Sequence, residues 1–105
     1  MLQTEATATY AITALRWEAS QIVEAMVGLI DPLEAHWDVA PAPARLSDVV
    51  DKLVEGDTVV AMFPDARGQW QIGPEVKVGV LPGGAETLAL DDDVRGMRLD
   101  DLPQF

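Results

Sequence analysis

The sequence predicts an α+β domain: a small antiparallel sheet, made of an N-terminal strand and a C-terminal meander, packed against one or two helices. Three observations predict it. Residues 9–17 are rich in β-branched and aromatic side chains, residues 46–56 keep a helical apolar spacing that ends in glycine, and from Thr58 the apolar period changes to two. At 105 residues and 49% apolar content there is material for one core, so a single domain is expected over 1–105.

Residues 1–7 are small and polar and are expected to fray. In the first strand, 9–17, Tyr10, Ile12 and Ala14 share one face while Leu15 and Trp17 fall on the other. Ile22, Val23, Met26, Val27 and Ile30 then recur at spacings that line one side of a helix. Ser20 can cap it, and Asp31-Pro32 stops it, because the residue before proline is pushed out of the α region. Gly28 costs about 1 kcal/mol in a helix interior, and the β-branched content keeps a strand as the rival. The spacing favours the helix.

Trp37 and Val39 alternate around Asp38 as a short strand, followed by the stiff extended connection Ala40-Pro41-Ala42-Pro43. A helix is expected over about 47–55. Leu46, Val49, Val50, Leu53 and Val54 form its apolar stripe, Ser47 is placed to cap it, Asp48 suits its positive end, and Gly56 supplies a left-handed stop. Val50 stands where a capping box would need Glu or Gln.

The meander follows in four strands. Thr58 to Phe63 is apolar throughout, as a central strand covered on both faces would be. After the turn Pro64-Asp65-Ala66-Arg67-Gly68, Trp70 and Ile72 alternate until Gly73-Pro74 cuts the strand. Val76, Val78 and Val80 form a third strand, Pro82-Gly83-Gly84 turns, and Thr87 to Leu90 makes the fourth. Residues 91–105 are an acidic tail, with Leu99, Leu102 and Phe105 as pins that dock it.

Charge and composition exclude several functions. Eighteen acidic and seven basic residues give a net charge of −11. The basic residues stand singly, so nothing gathers phosphates, and neither nucleic acid nor an anionic membrane is an expected partner. Cysteine is missing, which removes disulfides, thiolate nucleophiles and cysteine-bound metals. The N-terminus lacks the basic and apolar regions of a signal peptide, and the longest run of apolar residues and glycine, Ala25 to Ile30, is far short of the roughly 20 residues that cross a bilayer. A cytoplasmic location is the expectation.

Ile12-Thr13-Ala14-Leu15-Arg16-Trp17 opens this order of elements, a helix runs into Gly56-Asp57 and a meander, and Leu99-Asp100-Asp101-Leu102-Pro103-Gln104-Phe105 closes it. The combination resembles a family of small bacterial domains of unknown function, with an Ile-Thr-x-x-Arg first strand and a terminal Leu-x-x-Leu-Pro. Where that family carries an aromatic and a basic residue in its late strand, this chain has Glu86-Thr87-Leu88-Ala89-Leu90. The resemblance implies the fold and no activity.

Catalytic and cofactor patterns fail when tried one at a time. Ser20, Ser47 and the lone His36 lack a nucleophile elbow, and both serines have a capping or turn role. One histidine without cysteine makes zinc a poor fit. Read as a calcium loop, Asp91, Asp93 and Gly96 fit, but Arg95 and Leu102 stand where oxygen ligands are needed, so the acidic run is better read as solvated. Pro82-Gly83-Gly84 has no following helix and is a hairpin turn rather than a phosphate cradle. No catalytic, cofactor or metal residue is therefore assigned. Trp17 and Trp70 are expected in the core; Trp37, in a proline-bounded loop, has the better claim to exposure. Candidate interaction residues are Trp37 and the acidic Asp91, Asp92, Asp93, Asp100 and Asp101.

The expected function is a non-enzymatic interaction or accessory domain that takes a protein partner or a second copy of itself. The alternative is an acidic inhibitor of the immunity type, neutralising a basic partner such as a nuclease, for which the charge would supply steering. A small hydrolase or isomerase using carboxylates comes third.

Overall fold

The computed structural model describes residues 9–31, 36–90 and 98–105. Among these residues six strands and one α-helix follow one another as β1 (Thr9–Glu18), β2 (Gln21–Asp31), β3 (His36–Arg45), α1 (Leu46–Val54), β4 (Thr58–Pro64), β5 (Trp70–Val80) and β6 (Glu86–Leu90). They form one sheet in the order β3-β2-β1-β4-β5-β6. It is larger than the small sheet expected, and it is mixed: β1 pairs in parallel with β4, with Thr9 beside Thr58 and Ile12 beside Ala61. A parallel pair requires a crossover, and here β2, β3 and α1 together make it. The strand at 9–17 and the continuously apolar Thr58–Phe63 stand at the centre, and Val59 through Phe63 are all buried.

The expected helix at 20–30 is instead β2, hydrogen-bonded to β1 on one side and β3 on the other. Both of its faces are covered over part of its length, so its apolar residues do not alternate cleanly. Bulges disturb the period further: Thr13 is extra on β1, Val23 on β2, and Asp38 on β3. β1 and β2 are joined by a two-residue turn, Ala19-Ser20, with φ of 51° and 66°. Ser20 thus belongs to a turn and caps no helix.

Ala40-Pro41-Ala42-Pro43 is not a connection but the middle of β3, at the sheet edge. An edge strand tolerates proline, and proline there discourages pairing with another chain. The two strands expected within 70–80 are one strand. Gly73 and Pro74 lie opposite the single residue Ala61, between the pairs Met62–Ile72 and Val60–Glu75, so the proline sits in a bulge where its missing N–H costs no ladder bond. Past it, Val76–Val80 turns to pair with β6.

α1 covers one face of the sheet with Val49 and Val50 against Ile12, Leu15, Ala25, Val59 and Ala61. Its stop is the expected one: Gly56 has φ +99°, the Gly56 N–H donates to the Leu53 carbonyl at 3.1 Å, and the Asp57 N–H donates to that of Lys52 at 3.0 Å. Its start is not, because the helix begins one residue early. Arg45 occupies the cap position without a side-chain bond, and Ser47 falls inside the first turn.

At the far end, Leu99–Asp101 makes one 3-10 turn and Leu102 enters the helix-side core at 3% exposure. Leu99 packs beside it, and Phe105 stays partly exposed. The expectations for residues 1–7 and for 91–97 lie outside the described residues. Among the described residues no helix is long and apolar enough to cross a membrane.

Candidate functional site

Alternation along the strands sends a second apolar set to the face opposite α1. Ala11, Ile30, Val60 and Met62 form a separate buried cluster that contains no helical residue, with Trp37 packed against it. The register places them together: Ala11 is beside Val60 and Gly28, Ile30 beside Trp37, and Met62 beside Ile72.

Trp37 reaches this cluster by lying flat over Gly28. A Cβ at Gly28 would stand 2.6 Å from Cζ3 of the ring and 2.8 Å from the Val39 carbonyl oxygen, so only glycine leaves room. Trp37 is therefore half-buried, not the free loop side chain expected. Trp70, expected in the core, is 42% exposed, and Ile72 on the same strand is 41% exposed. Their position follows from the preceding turn. The Asp65 carboxylate accepts the Arg67 N–H at 2.8 Å and the Gln69 N–H at 3.0 Å, Gly68 takes φ +81°, and the Asp65 N–H donates to the Gln69 carbonyl at 2.7 Å. The turn closes tightly and delivers Trp70 directly opposite Pro64.

Between the two tryptophans runs a groove of about 480 Å³. Ile30 and Met62 form its floor, Trp37 one wall, Trp70 and Ile72 the other, with Gln69, Gln71 and His36 at its ends. His36 Nε2 lies 3.2 Å from Asp38 Oδ1, and both side chains are about half exposed. The lining is mostly apolar with a few polar groups, which suits an apolar side chain or a flat apolar ligand.

The other candidates do not join it. Asp100 and Asp101 are exposed on the 3-10 turn, where the Asp101 carboxylate accepts the Arg98 N–H at 3.0 Å. Asp91, Asp92 and Asp93 lie outside the described residues. Ser20 and His36 sit at opposite ends of β2, roughly 30 Å apart at the rise of an extended strand, so they cannot act as a pair. Among the described residues no three histidine, aspartate or glutamate side chains converge as metal ligands do. Sequence reading missed Trp70, Ile72 and Gly28. Their signal was present: Trp70 and Ile72 alternate with two glutamines, and a glycine interrupts an otherwise bulky β-branched run.

No protein family, curated protein or solved structure matches this chain.

Proposed function

We propose that this is a protein-interaction domain, and that its contact surface is the groove between Trp37 and Trp70. One observation carries the reading: a tryptophan and an isoleucine stand more than two-fifths exposed beside a buried apolar floor, on the sheet face that α1 does not cover. Folding alone gives no reason to leave them there, whereas tryptophan is the residue type most enriched at binding hot spots. The partner is a protein that inserts an apolar side chain into the groove from a basic surface. The apolar lining selects the anchor, and the −11 charge of the chain attracts the surface around it.

Affinity capture from the source cell with the full chain tests this in three arms: wild type, Trp70→Ala, and Val54→Ala, an exposed apolar control on α1. A basic partner held by wild type and by Val54→Ala, lost with Trp70→Ala, and weakened as salt rises is the expected result. A partner retained by Trp70→Ala, an acidic partner, or none at all would overturn the reading.

A further inference from the structure

β1 changes neighbours halfway along its length. Thr9 through Ile12 run beside β4, but that pairing ends at Ile12 and Ala61 although β4 runs on to Pro64, and the edge at Leu15 is taken by residues 103–105. The Leu15 N–H donates to the Pro103 carbonyl at 2.8 Å, and the Leu15 carbonyl accepts the Phe105 N–H at 3.2 Å, bracketing a parallel bridge from Leu15 to Gln104. Leu102 is buried in the core, Leu99 packs partly against it, and the Arg16 guanidinium sits 5.0 Å over the Phe105 ring. Pro103 and Gln104 are exposed.

We infer that this stretch of β1 is a strand-accepting peptide site, selective for segments in which a Leu-x-x-Leu turn leads into an extended Pro-x-aromatic end, which residues Leu99–Phe105 fill from within the same chain. The parts are those of peptide recognition by strand addition: main-chain bonds hold any extended segment, and side-chain contacts choose among them. The Leu102 pocket reads one leucine, the surface beside it admits a second, and Arg16 favours an aromatic ring through its cation. None of these contacts depends on the connection through residues 91–97, so a segment arriving from another molecule can make all of them. What keeps the site filled is that its segment belongs to the same chain, which makes the binding intramolecular.

The test uses the full chain carrying Leu102→Asp, which expels its own segment, titrated with a synthetic peptide of residues 98–105. The readout is the set of amide resonances of Leu15, Arg16 and Trp17. Saturable shifts are expected, with half-saturation below ~1 mM, and at least tenfold weaker binding of a peptide carrying the same Leu102→Asp change. Replacing phenylalanine by alanine in the peptide should weaken binding to this chain and have no effect when Arg16→Ala is added. A folded Leu102→Asp chain whose resonances do not move, or move equally with both peptides, overturns the inference. If that chain is unfolded, the milder Leu102→Ala is titrated in the same way. Restoration of a folded spectrum by the wild-type peptide alone then supports the site, and no restoration or binding with either variant sinks it.

Discussion

The indole of Trp37 and the backbone of Gly28 are stacked so closely that no other residue fits at position 28. A Cβ there would lie 2.6 and 2.8 Å from two ring carbons and 2.8 Å from the Val39 carbonyl oxygen. Gly28→Ala should cost about 1–3 kcal/mol, as overpacking does. Adding Trp37→Ala removes the ring contacts but leaves the backbone oxygen in place, so it should recover only part of the loss beyond its own cost. Urea denaturation of the single and double variants measures the difference.

The start of α1 provides a direct choice between two accounts of one serine. If Ser47 capped the helix, Ser47→Ala would cost about 0.5–2 kcal/mol. In the structure the cap position belongs to Arg45, which makes no side-chain bond there, and Ser47 is exposed in the first turn. Ser47→Ala should therefore change stability by less than about 0.5 kcal/mol. Arg45→Asn should add a few tenths to about 1 kcal/mol by accepting an N–H of the first turn, without setting a second carboxylate opposite Glu24.

How much of this was legible in the residues depends on how local each feature is. β1, α1 and β4 announce themselves through neighbours in sequence: alternation at Tyr10 and Ile12, the stripe from Leu46 to Leu53 closed by Gly56, and the unbroken run Val59–Phe63. β2 is disguised because its burial follows two covered faces and several bulges rather than a period of two, leaving Ile22, Met26 and Ile30 at a spacing that also suits a helix. Pro74 misleads for a related reason. It looks like a strand end until the bulge opposite Ala61 shows how proline is accommodated. The parallel pairing of β1 with β4 spans some fifty residues of chain, and no short window carries it. The groove is legible only in part: Trp37 stands out by composition, but its partner Trp70 reads as core until the sheet order shows which face it occupies.

The Ala19-Ser20 turn holds two residues without the usual occupants of its conformation. Both have positive φ, as the mirror-image hairpin turn demands, and in that region a side chain costs roughly 1–2 kcal/mol per residue. Asparagine followed by glycine meets the same geometry with less strain. Ala19→Asn with Ser20→Gly should raise stability by about 1 kcal/mol, which for a domain near this size is about 4 °C in Tm or somewhat more. Thermal unfolding followed by circular dichroism reads it, and an unchanged or lower Tm would mean the turn is not of this type.

The two walls of the groove should separate cleanly when stability is measured. Trp37 packs on buried Ile30, Val60 and Met62 and covers Gly28, so Trp37→Ala removes a large side chain from a formed cluster and should cost about 3 kcal/mol. Trp70 lies at the edge of the same cluster and is 42% exposed. Much of its surface is already in water when the chain is folded, so Trp70→Ala should cost about 1 kcal/mol. That asymmetry is what a recognition surface requires: one wall belongs to the fold and gives the groove its shape, while the other contributes little to stability and is free to spend its apolar area on a partner. Denaturant midpoints for the two variants decide the matter. Equal and large losses would make Trp70 a structural residue and leave the groove without its strongest argument.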